Sequence, residues 1–323
     1  MPESIDTSSF HDGKRPCRYS YALVSVSLVT TFALFLLFGS LLDLDQSART
    51  WGEMSLLFLL FCFSLVFFSN IARAGRLYSH FYPEMKGRFG LCLRIVLHHN
   101  FFNNLLPLRA GEVAFPLLLR RYFNIEFSRS AGALVSFRIA DLTLLIVIGL
   151  IATAFGLHLS GNSDLLLRVL FSMAIAAILL THLLRWAART LPWAARHWEL
   201  FKAGLPGTPA GVVRLSLWTL SIWSVKLLGY ACILQAFIGM NLALSLLAAL
   251  GGELASGIPL HTPAAIGSFE GGVLAVLLPT RISSETALTA AVNLHLFLLA
   301  VTMVSAGFGF FLGRGIHDTQ GDP

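Results

Sequence analysis

The chain has 323 residues, of which 56% are hydrophobic and only 12% charged, with a mean hydropathy of +0.73. A soluble domain carries about 25% charge, so the composition excludes a soluble enzyme or binding module and requires an integral membrane protein. The net charge of +6 does not point to nucleic acid, because the 23 Lys and Arg are dispersed between apolar runs rather than gathered on one face.

Residues 1–19 form a polar tail that ends in Lys14, Arg15 and Arg18. The apolar run behind it is too long for a cleaved signal peptide and lacks a small-residue cleavage site, so it reads as a retained span. A crossing helix needs about 20 mostly apolar residues, which predicts spans over 20–42, 54–72, 131–156, 165–184, 213–238 and 286–312. Two further apolar stretches, 93–120 and 242–278, are each broken by Pro, Gly and charge. The first contains HHNFFNNLLPLRAGEVAFPLLLRR (98–121), with Asn100, Asn103, Asn104, Pro107, Arg109, Gly111 and Glu112 close together; the second contains GGELASGIPLHTPAAIGSFEGG (251–272). Irregular polar backbone at membrane depth is tolerated where it is buried in protein or lines a water-filled cavity. Each stretch is therefore expected to form two short helices, and together they mark a candidate transport site.

The connections set the orientation. Residues 73–94 carry Arg73, Arg76, Lys86, Arg88 and Arg94, and beyond the first broken stretch come Arg120, Arg121 and Arg129. Both flanks are basic, so the positive-inside rule places both in the cytoplasm and makes the stretch re-entrant. The segment 185–214 is also basic, whereas 43–53, 157–164 and the flanks of the second stretch hold only Arg49 and Arg281. The second stretch then enters from outside, and both termini lie inside. Eighteen of the 23 basic residues fall inside, two outside and three (Arg138, Arg168 and Lys226) within spans. Residues 20–156 and 165–312 each read as span, span, re-entrant, span. Three crossings per unit make the second unit an inverted repeat of the first, a layout that points to a transporter site at the repeat interface. The predicted class is all-α: a polytopic helical membrane protein with about six full spans and two inverted re-entrant hairpins, between cytoplasmic tails 1–19 and 314–323.

Ionisable residues at membrane depth normally face the bundle interior and pair. Arg109 and Glu112, and likewise Arg138 and Asp141, are three apart and would share a helix face; the second pair is expected to be either a structural lock or functional. Lys226 falls near the midplane, with Glu253 and Glu270 as expected counter-ions. His98 and His99 are adjacent and diverge on a helix, and His261 with His295 is a weak relay candidate. Four cysteines (Cys17, Cys62, Cys92 and Cys232) show neither a disulfide framework nor metal spacing. There is no phosphate-binding loop, dinucleotide fingerprint or HExxH motif. Gly267-Ser268-Phe269 lacks the strand-to-helix setting of a nucleophile elbow.

The LPLRAGE run, then SFRIADL, then IPLHTPAAIGSFEGG resemble the transmembrane, flippase-type region of lysylphosphatidylglycerol synthases, over about residues 20–313. The resemblance implies a role in moving lipids between leaflets or in envelope-lipid metabolism, including hopanoid-type lipids. By position it carries over Asn104, Pro107, Arg109, Gly111, Glu112, Arg138, Asp141, Pro263, Gly267 and Glu270. This chain departs from the family in three ways. No aminoacyl-transferase domain is expected after residue 313. Phe115 and Pro116 stand where a basic residue often follows the Gly-Glu pair. Asn293 and His295 stand where the last span often carries Arg.

The leading expectation is an inner-membrane lipid translocase without enzymatic activity, cofactor or nucleic-acid partner. Its site would comprise Asn104, Arg109, Glu112, Arg138, Asp141, Lys226, Glu253 and Glu270, and its partners would be membrane lipids and either a second copy or a lipid-biosynthesis protein. The alternative is an accessory or enzymatic protein of envelope-lipid biosynthesis.

Overall fold

A computed structural model of the chain describes residues 44–105, 111–154, 192–257, 263–280 and 282–312. All regular structure among them is helical. In chain order the helices are α1 (Leu44–Glu53), α2 (Leu56–His80), α3 (Tyr82–Met85), α4 (Phe89–Leu105), α5 (Gly111–Phe123) and α6 (Phe127–Ala154). They continue with α7 (Pro192–Lys202), α8 (Pro209–Ile238), α9 (Leu242–Ser256), α10 (Ser268–Leu277) and α11 (Ser284–Phe311), with a 3-10 turn at Pro263–Ala265. The predicted spans 20–42 and 165–184, both tails, and Pro107, Arg109, Arg168, His261 and Arg281 lie outside the described residues.

Among the described residues, four helices are long and apolar enough to cross a membrane: α2, α6, α8 and α11, of 25, 28, 30 and 28 residues. At 1.5 Å per residue even the shortest reaches about 37 Å, more than the ~30 Å hydrocarbon core. Their starts follow local chemistry. Ser55, Thr208 and Ser283 cap α2, α8 and α11 by accepting from the N–H of Phe58, Gly211 and Thr286, and Pro209 sits in the first turn of α8, where no N–H partner is lost. Large apolar side chains such as Leu57 (80% exposed) and Phe311 (65%) cover the outside of these helices. In lipid that surface is matched, not a defect.

Both broken stretches form helix pairs, α4 with α5 and α9 with α10, as the sequence predicts. Glycine permits the close approach in each. A Cβ on Gly111 would collide with the backbone of Phe102 and Asn103, and one on Gly272 would strike the backbone of Gly251. In α5, Phe115, Leu119 and Phe123 are buried at four-residue spacing, while Arg120 and Arg121 sit in the last turn, where the helix dipole favours cations.

The helices pack as two matching units, α1–α2–α4–α5–α6 and α7–α8–α9–α10–α11. Within them α2 meets α4 as α8 meets α9, and α5 meets α6 as α10 meets α11; between them α4 meets α11 as α9 meets α6. Likewise α1 packs on α11 through Trp51 and Phe297, as α7 packs on α6. At the centre α2 and α8 run antiparallel: Arg76 bonds Thr219 at one end, and Gly229 lies against Val66 and Cys62 at the other. Two apolar cores result. One gathers Cys62 and Val66 of α2 with most of α8 to α11; the other gathers Ala74 and Leu77 of α2, and Phe81 just beyond it, with α4 and α5. Asn70 and Arg73 fall on α2 between the two cores.

One sequence expectation is corrected here. Arg73 and Arg76 do not belong to an inner connection. Helix α2 continues to His80 with both guanidinium groups inside the bundle, Arg76 buried and Arg73 partly open to a cavity.

Candidate functional site

A cavity of about 150 Å³ lies between the two units. Asn70 and Arg73 of α2, Asn103 and Asn104 of α4 and Arg138 of α6 line it from the first; Lys226 of α8, Glu253 of α9 and His295 of α11 line it from the second. The α4 asparagines are held from different sides: Asn100 donates to Asn70 Oδ1 (2.7 Å), and Asn104 donates to Thr302 Oγ1 of α11 (3.1 Å). Asn103 Oδ1 and Ser305 Oγ are buried beside the cavity with no protein partner among the described residues. Buried polar atoms are normally bonded, so these two are available to water or to a polar ligand.

Around the cavity four carboxylates are paired. Glu112 meets Arg138 Nη2 at 2.9 Å. Glu253 meets Lys226 Nζ at 2.6 Å, and the ammonium lies over the Trp223 ring, 4.6 Å from its centroid. Glu270 Oε1 meets His295 Nδ1 at 2.6 Å, while its Oε2 accepts from the N–H of Gly267 at the start of α10. Asp141 takes both nitrogens of the Arg76 fork (2.6 and 3.2 Å) and the indole N–H of Trp223 (3.0 Å), with Arg73 at 4.0 Å. This last carboxylate ties α2, α6 and α8 together and sits just beside the cavity, among Arg73, Phe137 and Arg138.

The expected Arg138–Asp141 pair is therefore not formed. Although three apart on α6, the two residues reach different partners, Arg138 across to α5 and Asp141 across to α2. Nor is Glu270 the counter-ion of Lys226: Glu253 is, and Glu270 belongs to His295. Glu112 is held by Arg138, and its expected partner Arg109 is outside the described residues. Asn104, Arg138, Lys226 and Glu253 line one cavity, with Glu112 and Glu270 behind two of its walls.

Sequence reasoning missed Arg73, Arg76, Asn70, Trp223 and Tyr230. The two arginines follow directly on an apolar run, so composition reads them as a loop. The available signal was their i, i+3 spacing in NIARAGRLYSH, which continues a helix without Pro or Gly-rich interruption. The structure also separates Asn293 from His295. Asn293 bonds Trp51 and Ser47 and anchors α1, whereas His295 borders the cavity.

Position within the helices exposes a correspondence that sequence alone hides. Arg73 is the eighteenth residue of α2 and Lys226 the eighteenth of α8. Arg138 is the twelfth of α6 and His295 the twelfth of α11. Their carboxylates Glu112 and Glu270 both lie in the first turn of α5 and α10. The two units thus bring matched ionisable groups to one cavity. The family model for the lysylphosphatidylglycerol synthase TM region matches residues 22–306. The chain belongs to that family. No curated protein and no solved structure matches it. Membership in a family of envelope-lipid handling and four apolar crossing helices make it a multi-pass membrane protein related to such lipids.

Proposed function

We propose that the protein moves a membrane lipid between leaflets, with the polar headgroup passing through the cavity between two inverted units while the acyl chains stay in the bilayer. One observation carries the reading: basic side chains at matched helix positions, Arg73 with Lys226 and Arg138 with His295, converge from both units on a single polar cavity. Antiparallel packing of α2 and α8 supports inversion, since a two-fold axis in the membrane plane would relate the two helices in that way. In this reading the helix pairs are re-entrant, α4–α5 from the cytoplasmic face and α9–α10 from the other, both termini are cytoplasmic, and the membrane is the inner one. Lys226, Arg73 and Arg138 would hold the headgroup phosphate, and Asn103, Asn104 and Ser305 would bond its polar remainder. The role is transport rather than catalysis, and the ligands are membrane lipids.

The test is purified protein in liposomes, with a labelled lipid in one leaflet followed into the other, using anionic, zwitterionic and aminoacylated lipids. Wild type moves at least one class. Lys226→Gln, which keeps hydrogen bonding but removes the charge, is expected to slow that lipid about tenfold or more, the equivalent of one charge-assisted hydrogen bond of about 1.5–3 kcal/mol. Failure of folded wild type to move any of them would sink the translocase reading in favour of an accessory role in lipid biosynthesis.

A further inference from the structure

We infer that the second unit carries a proton-binding site, the Glu270–His295 dyad, which couples uptake of one proton to entry of an anionic, phosphate-bearing headgroup. The inference rests on the translocase reading for its transport half, but not for the proton site itself.

The dyad is built for one proton. Both residues are buried, His295 at 7% and Glu270 at 3% exposure, and the Nδ1–Oε1 distance is 2.6 Å. Glu270 accepts from Gly267 with its second oxygen (2.7 Å), so the carboxylate is used as an acceptor on both sides. An ionised carboxylate only accepts, so Nδ1 is the nitrogen that donates to it and Nε2 is the position left to gain or lose a proton. His295 borders the cavity, and Nε2 is the site for a proton arriving through cavity water. The proton binds there and leaves from there; no other bond is made or broken.

The matched position in the first unit shows what is unusual. There the partner of the first-turn carboxylate is Arg138, which stays charged at every physiological pH. Imidazole changes charge between about pH 5 and 8. Among the described residues, Arg73, Arg76, Arg138 and Lys226 balance Asp141, Glu112, Glu253 and Glu270 when His295 is neutral. Among these groups, protonation of His295 leaves one uncompensated positive charge. An anionic headgroup neutralises it, and linkage makes the effect mutual: the proton favours the anion as the anion favours the proton.

Among the described residues, the charged and titratable groups around His295 can be named element by element. From α10 it faces Glu270 and the Phe269 ring (4.9 Å). Across the cavity, α8 presents Lys226 and Tyr230, α9 Glu253, α2 Arg73 and α6 Arg138, with Lys226 held by Glu253 and Arg138 by Glu112. Helix α4 contributes Asn100, Asn103 and Asn104; its His98 lies near Gly309, almost four turns along α11 from His295. Asp45, Arg49 and Glu53 of α1 and Glu285 of α11 are exposed.

The experiment measures movement of labelled phosphatidylglycerol, with labelled phosphatidylcholine alongside, between pH 5.5 and 8.5 in liposomes. It compares wild type, His295→Gln and His295→Arg. Wild-type movement of the anionic lipid should fall on the order of tenfold per pH unit on the alkaline limb, and both variants should give flat profiles. An unchanged slope in the variants, or a flat wild type that still moves lipid, overturns the coupling. The melting temperature of solubilised wild type and His295→Gln is followed over the same range, with and without inorganic phosphate. The two profiles should diverge between pH 5 and 8; parallel profiles overturn the proton site. Divergence with no lipid movement retains the dyad and rejects only the translocase reading. Divergence that only free phosphate enhances assigns the anion to solution and overturns the lipid coupling.

Discussion

The two units of this protein solve one geometric problem with different side chains. In each, a glutamate in the first turn of a short helix reaches the twelfth residue of the following long helix. The first unit uses Glu112 and Arg138, whose side chains remain 28% and 32% exposed. The second uses Glu270 and His295 at 3% and 8%. A permanent ion pair can stay half-solvated and costs little to keep charged. The buried pair in the second unit has an imidazole in place of the guanidinium, a side chain whose charge is not permanent. A second contrast separates structure from site. Arg76 is locked bidentately to Asp141, whereas Lys226 and Glu253 are each about 15% exposed and open onto the cavity. The lesson is that matched charges need not share a role: some hold the bundle, and others face the cavity.

The comparison stands on inversion, and the largest expected effect tests that premise directly. Single cysteines at Lys86 and Glu126, both exposed and flanking the α4–α5 pair, are introduced after removal of the native four. Both should react fully with an impermeant thiol reagent from the cytoplasmic side and not from the other. Reaction of the Glu126 position from outside would mean that α4–α5 crosses the membrane, and the inverted relation would be lost.

Next in size is the lock. Removing one partner of a buried pair strands a charge at a cost of about 3–5 kcal/mol, while replacing both with apolar residues is often near neutral. Arg76→Met and Asp141→Leu should each lower detergent thermal stability sharply, and the double variant should recover most of the loss. Arg138→Met combined with Asp141→Leu should show no such recovery, since these residues do not pair. Recovery in the Arg138 combination instead would return the lock to the α6 pair expected from sequence.

Most of the fold was legible because it follows from hydropathy and breaks. The four described spans, both interrupted stretches and an acidic partner for Lys226 within the second stretch all follow from apolar length, Pro and Gly positions and the cost of an isolated charge in a membrane; that the partner is Glu253 and not Glu270 does not. The ends of helices were less legible: α2 runs eight residues beyond its apolar stretch, because buried Arg76 is satisfied by a partner 65 residues away. That distance is invisible to local spacing. The same reason misassigned Asp141, whose nearest cation in sequence is Arg138 and nearest in space is Arg76. The correspondence of Arg138 with His295 was hidden because the two side chains differ, and only their equal depth in equal-length helices reveals it.

The smallest effect concerns how each unit enters or leaves its second short helix. The first makes the turn after α5 with Asn124 at φ 54°, a residue type that tolerates the left-handed region. The second approaches α10 through Ala264 and Ala265 at φ 57° and 56°, both on the cavity wall. For alanine this conformation costs roughly 1–2 kcal/mol per residue. Glycine removes that cost but gives up about 0.5–1 kcal/mol through the greater freedom of the unfolded chain. The balance favours Ala265→Gly by about 0.5–1 kcal/mol, a small rise in detergent melting temperature. If strain at this wall keeps the second hairpin poised, the same variant should gain stability while moving lipid more slowly. A loss of stability would show that the Ala265 methyl packs in a way that outweighs its backbone, and the wall would then be held by contact rather than by conformation.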